Sequence, residues 1–123
     1  MNLTRLLVIA EAAAFISAAL THFGIPITGY QHLQAGRAES VIGLVVFVGW
    51  IVILARPSWT RRVGLAVQGF ALLGTLVGIF TIAVGVGPRT LPDLVYHACM
   101  IVLLLFGLIV AIRARRGQGF PET

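Results

Sequence analysis

Four long apolar stretches, separated by short polar or glycine- and proline-containing breaks, make up most of this chain. They lie at about residues 3–24, 38–55, 62–86 and 91–112. Each approaches the roughly 20 residues with which an α-helix crosses a hydrocarbon core about 30 Å thick. Because a lipid-exposed backbone must satisfy its hydrogen bonds within each span, the stretches predict an all-α integral membrane protein, a single-domain four-helix transmembrane bundle.

The composition excludes the other broad classes of protein. Of the 123 residues, 59% are hydrophobic and 11% are charged, whereas a soluble domain is about 25% charged. Too few charges are available to hydrate a compact surface, so a water-soluble globule is excluded, and so is a disordered chain. Nine basic residues alone do not indicate nucleic-acid binding. The predicted partner is the lipid bilayer.

The breaks between the stretches carry residues that stop and start helices. Pro26, Pro57 and the 85–88 segment end the first three stretches, since proline and left-handed glycine cannot continue a helix. Thr90, followed three residues later by Asp93, predicts a capping box that begins the fourth helix. The connections are short, so we expect consecutive helices to pack antiparallel, in an up-down-up-down order.

The arginines are distributed unevenly about the predicted bundle. Arg37 and Arg89 fall on one side, and the other seven of the nine basic residues fall on the side of both chain ends. The positive-inside rule then places both termini in the cytoplasm, together with a basic tail over 113–123. All nine basic residues are arginine, a usage typical of GC-rich bacteria. We therefore expect a multi-pass protein of the bacterial cytoplasmic (inner) membrane.

One acidic residue falls well inside a predicted span. Glu11 lies about six residues from the cytoplasmic end of the first span, and Gln68 lies about as far into the third span from the same side. Their common depth predicts a carboxyl–carboxamide hydrogen bond. An intramembrane carboxylate indicates a proton-binding site, as in a proton-coupled small-molecule transporter. The alternative is a neutral Glu11 that only holds two helices together.

All three histidines and two acids fall toward the predicted extracytoplasmic side. They are His22, His32, Glu39, Asp93 and His97. Imidazole and carboxylate together favour a divalent metal ion, His22 and His97 on facing helices favour haem, and imidazoles can also relay protons. Each residue has a simpler explanation: Asp93 as a cap, Glu39 as an acid near the start of its helix, and His32 as a solvated loop residue. His22 and His97 fall within apolar spans, where histidine near the membrane interface is tolerated.

Three classes of function remain open. The first is a binding or redox-type protein whose outer His/carboxylate group holds a metal ion or haem, with His22 and His97 as ligands. The second is the proton-coupled transporter that uses Glu11. The third is an accessory subunit of a larger membrane complex; a homo-oligomer is an equally open assembly. No activated serine or cysteine constellation and no phosphate-binding loop occur, so the sequence does not favour an enzyme.

Overall fold

The structure, a computed structural model, describes residues 2–114. Within that range the regular secondary structure is entirely helical, which confirms the all-α prediction. The four long helices are α1 (Leu3–His22), α2 (Leu33–Ala55), α3 (Thr60–Ala83) and α4 (Leu91–Arg113), and a short 3₁₀ turn (Pro57–Trp59) precedes α3. The predicted basic tail lies, beyond its first two residues, outside the described range.

All four helices are long and apolar enough to cross a membrane. The outward faces of α2, α3 and α4 carry large apolar side chains that are more than half exposed, among them Leu44, Leu73, Phe80 and Val102. Such an exterior suits the hydrocarbon of a bilayer and not water. The location of the two termini in the cytoplasm stays a prediction.

The helix bounds differ from the predicted ones chiefly at the start of α2. That helix begins at Leu33 and not near residue 38. The reason is an unexpected N-cap at His32. The His32 ring accepts a hydrogen bond of 3.1 Å from the backbone N–H of Ala35. This bond satisfies one of the amides that are left unpaired at a helix start. The polar residues after His32 therefore belong to the helix, and His32 is not simply a solvated loop residue.

The predicted capping box at the start of α4 is confirmed. Thr90 is the N-cap in an extended conformation, and its hydroxyl accepts a hydrogen bond of 3.3 Å from the backbone N–H of Asp93. The hydroxyl also donates to the Asp93 carboxylate. The start of its own helix therefore holds Asp93 in place, independently of its contact with another helix.

The core is formed by a continuous set of apolar side chains from all four helices. Glycines let α2 and α3 pack close together. A Cβ atom added at Gly49 of α2 would lie 2.5 Å from Val67 of α3. One added at Gly74 of α3 would lie 2.6 Å from Ile42 of α2. The core residues are Val8, Ala12, Phe15, Ile42, Val46, Ile53, Val67, Ala71, Met100 and Leu104.

Candidate functional site

A buried histidine joins three helices at one end of the bundle. His22 Nδ1 lies 2.6 Å from Glu39 Oε2, and His22 Nε2 lies 2.9 Å from Asp93 Oδ1. His22 ends α1, Glu39 lies near the start of α2, and Asp93 lies in the first turn of α4. Each of the three residues is at most 6% exposed. We call this group the His22 cluster.

Local hydrogen bonds hold two members of the His22 cluster, His22 and Asp93, in place. The backbone N–H of His32 donates a hydrogen bond of 2.9 Å to the carbonyl of His22, which closes the loop between α1 and α2. The Thr90 hydroxyl donates to Asp93 Oδ2 and leaves Oδ1 directed at His22. The cluster is therefore preorganised by the two helix starts and by the end of α1.

Counting protons gives the charge of the His22 cluster. Each of its two hydrogen bonds requires one shared proton, so a histidine and two carboxylates that hold only those two protons carry a net charge of minus one, wherever the protons sit. The only ion pairs among residues 2–114 are the two that His22 makes. No arginine of the described chain balances this charge at close range.

His97 lies one turn after Asp93 on α4 but takes a different bond. Its Nδ1–H donates to the backbone carbonyl of Asp93 over 2.7 Å, which leaves Nε2 as an acceptor. The Nε2 atom lies close to α3 at Gly78. A Cβ atom added at Gly78 would lie 2.9 Å from Nε2, so the absence of a side chain there leaves room for the ring. The Tyr96 ring packs edge-on against the His97 ring, with centroids 5.3 Å apart. His97 therefore presents its one open nitrogen toward α3.

His32 has both ring nitrogens engaged in holding loops. Nδ1 accepts from Ala35 N–H, and Nε2–H donates to the carbonyl of Val86 over 3.1 Å. The second bond joins the loop before α2 to the segment that follows α3. The ring lies 6.4 Å from that of His22, centroid to centroid. The His32 ring borders the His22 cluster without a hydrogen bond to the cluster's side chains.

The geometry of the donor set gives no support for a metal ion or haem. Ligation needs a lone pair on an imidazole nitrogen, and both nitrogens of His22 and of His32 are used in hydrogen bonds. Only His97 Nε2 remains open. Within residues 2–114 no group of three or more His, Cys, Asp or Glu side chains is arranged to hold a metal ion. The divalent-metal and haem hypotheses therefore gain no support from this geometry.

Cavities lie on both sides of the His22 cluster. The smaller one, of about 140 Å³, is bordered by the cluster's Glu39 and by the ring of His97. The larger one, of about 680 Å³, is a groove between α1 and α4 that His22 and Asp93 border. Tyr96 borders both, and its hydroxyl is buried without a hydrogen-bond partner in the described chain.

The second predicted site, Glu11 with Gln68, lies in the interior and is completely buried. The predicted hydrogen bond between them is absent, because Gln68 Nε2 donates to the carbonyl of Gly64 over 3.0 Å instead. Both Glu11 carboxylate oxygens and Gln68 Oε1 have no partner among residues 2–114. A side chain at Gly107 of α4 would collide with Gln68 Oε1 and lie 2.7 Å from Glu11 Oε1.

Three further residues that complete these two sites are only weakly indicated by the sequence. Tyr96 borders both cavities, and its only signal in the sequence was its place next to His97. Gly78 and Gly107 leave the room in which His97 and Gln68 lie. Gly78 ends a GxxxG pattern that indicates close helix packing but not a histidine partner, and Gly107 has no such pattern around it. The packing of α3 and α4 places these three residues beside the two sites.

No protein-family model, no curated protein and no solved structure matches this chain. The chemistry of the buried polar groups is therefore the basis for assigning a function.

Proposed function

We propose that this protein takes up and releases a proton at the His22 cluster, as the proton-binding element of a small-molecule carrier in the membrane. One observation supports the proposal above all: the His22 imidazole is hydrogen-bonded at both ring nitrogens to carboxylates from two other helices. Histidine bonded to carboxylates can relay protons, and buried ionisable groups in membrane proteins mark proton and substrate pathways.

Proton uptake at the His22 cluster would change how the helices are held. In the bonded state two protons are shared and the net charge is minus one. A third proton makes the cluster neutral and occupies a carboxylate oxygen of Glu39 or Asp93. The same two carboxyl groups make the bonds that join α1 to α2 and α1 to α4, so protonation and helix packing are linked. Such a link is what a proton-coupled carrier requires.

The surroundings favour the His22 cluster over Glu11 as the exchanging group. Glu39 borders the 140 Å³ cavity, and Asp93 borders the groove between α1 and α4. Glu11 is 0% exposed and lies against Gly107. A transporter that relies on Glu11 alone stays a prediction, as do the accessory-subunit role and any homo-oligomer. The distribution of arginines predicts that the His22 cluster lies on the extracytoplasmic side.

The proposal is tested by infrared spectroscopy of the protein in lipid vesicles, titrated with acid. The signal is the C=O stretch of protonated carboxyl groups, compared in wild type, Glu39→Gln, Asp93→Asn and Glu11→Gln. We expect a titrating band that Glu39→Gln or Asp93→Asn removes and that Glu11→Gln leaves in place. A titrating band that only Glu11→Gln removes, or the same band in all four proteins, would overturn the proposal. His22→Gln offers a further cluster variant if one carboxylate variant fails to fold.

A further inference from the structure

The groove between α1 and α4 has small residues along one wall. Ala14, Ser17, Ala18 and Thr21 of α1 recur on one helical face, and Met100 borders the groove from α4. From Ala14 to His22 the α1 wall runs about 12 Å, at about 1.5 Å per residue. With a volume of about 680 Å³, the groove can receive an apolar chain that lies along the helices.

One end of this groove is polar and charged. His22 and Asp93 border it there, and Tyr30 of the first loop lies beside them. Each Asp93 oxygen accepts one hydrogen bond, from His22 or from Thr90. A carboxylate has about four acceptor positions, so Asp93 retains acceptor capacity. The groove therefore combines an apolar wall with an anionic end, which is the complement of an amphiphile with a cationic head.

The groove is reached from the lipid. Ser17 and Cys99, which border it on α1 and α4, are exposed on the outer surface of the bundle. Neighbouring outward residues such as Leu20 and Val102 are large and apolar. In a bilayer this face meets acyl chains, so a ligand of the groove would arrive dissolved in the membrane.

We infer that this groove binds a single-chain amphiphile with a protonated amine, its ammonium group at Asp93 and its apolar chain between α1 and α4. The inference rests on the proposed function in one respect, the net negative charge of the His22 cluster. An ammonium group donates hydrogen bonds to a carboxylate, and its positive charge is attracted to the negative charge of the cluster. A neutral hydroxyl head donates a hydrogen bond without that attraction, and a phosphate head is repelled. The ligand class is thus a membrane-soluble primary amine.

The test measures immobilisation of a probe by electron spin resonance. The probe is decylammonium with a nitroxide at the end of its chain, mixed with the protein in phosphatidylcholine vesicles, which lack primary amines. We expect an immobilised component that unlabelled decylammonium displaces and that decanol displaces at least about tenfold less well, because decanol lacks the charge-assisted bond.

Two variants locate the site. Ala18→Phe fills the groove, and Asp93→Asn removes its charge; each is expected to weaken probe binding about tenfold or more. The matched control is Ala13→Phe, an exposed position of α1 that does not border the groove, and it should bind as wild type does. Ala18→Phe leaves the cluster intact, so it tests the groove even if Asp93→Asn fails to fold.

The remaining outcomes overturn the inference. Equal displacement by decanol and decylammonium, or loss of binding in Ala18→Phe but not in Asp93→Asn, would mean an apolar chain site without a cation preference. Displacement by phosphatidylethanolamine at the same mole fraction as decylammonium would mean a resident-lipid site. If the cluster shows a titrating carboxyl band but the probe is not immobilised, only this inference is wrong. If the probe is immobilised but no such band titrates, only the proposed proton exchange is wrong.

Discussion

Glu11 and Gln68, from α1 and α3, direct their Oε1 atoms at the same glycine of α4, Gly107. No hydrogen-bond donor among residues 2–114 meets either atom. Three helices therefore meet around two acceptor oxygens with no space for a side chain. This relationship leads to two predictions about stability.

Gly107→Ala is expected to destabilise the protein by about 1–3 kcal/mol, because its methyl group would overlap Gln68 Oε1 in a packed interior. The shift of Gln68 is resisted by its own bond to Gly64. Reversible unfolding in mixed detergent micelles measures the effect. The control is Gly69→Ala on α3, where a side chain meets nothing within 4 Å and helix propensity gives a gain of about 0.5–1 kcal/mol. Equal effects in both variants would contradict the packing argument.

Glu11→Gln is expected to raise stability by up to about 1 kcal/mol, because its amide can donate to the unpaired Gln68 Oε1. Glu11→Leu, which cannot donate, serves as the comparison and should not share this gain. The measurement is again the free energy of unfolding in micelles. A loss of stability in Glu11→Gln would show that the Glu11 carboxyl has a partner that glutamine cannot replace.

His22→Ala is expected to cost about 3–5 kcal/mol, because it leaves Glu39 and Asp93 buried without their shared partner. Adding Glu39→Gln in the same chain should recover part of the loss, since it removes one of the two stranded carboxylates. A double-mutant cycle of unfolding free energies measures this coupling. Strict additivity of the two substitutions would contradict the bonded cluster.

His32→Ala is expected to cost less, about 1–2 kcal/mol, because it removes a helix cap and one bond to Val86 at a partly exposed position. His32→Asn retains a capping side chain and should recover about half of the loss. Thermal unfolding of the three proteins measures the order of stability. If His32→Asn is no better than His32→Ala, the cap at the start of α2 is not what His32 contributes.

Thr90→Ala is expected to cost about 1 kcal/mol through the lost N-cap of α4. It also frees Asp93 Oδ2, so the histidine and carboxyl bands of the His22 cluster should shift in the infrared spectrum. Thr90→Ser retains the hydroxyl and should restore both the stability and the bands. Loss of stability without a spectral change would show that Thr90 caps the helix but does not orient Asp93.

The four helices were predictable because each needs about 20 apolar residues and the chain contains four such runs. The start of α2 was not, because an imidazole that caps a helix resembles a polar loop residue in the sequence. The composition at one end of the bundle indicated the grouping of His22, Glu39 and Asp93. Which nitrogen meets which carboxylate depends on the rotation of three helices, and that is set by packing.

The glycines show the same limit more sharply. Gly78 and Gly107 are each matched to a polar side chain on another helix, His97 and Gln68. Within the sequence of one helix, each of these positions shows only a glycine and gives no sign of its polar partner. The pairing becomes visible when α3 and α4 are brought together.

The position of the His22 cluster also has an electrostatic consequence. His22 lies in the last turn of α1, where aligned peptide dipoles present partial negative charge, and Asp93 lies in the first turn of α4, where they present partial positive charge. The backbone thus favours a proton on the imidazole and a negative charge on Asp93. The peptide groups at the start of α4 thus take the part of a basic side chain toward Asp93, so the bundle can hold a negative charge there in an apolar setting and still leave room for a cation.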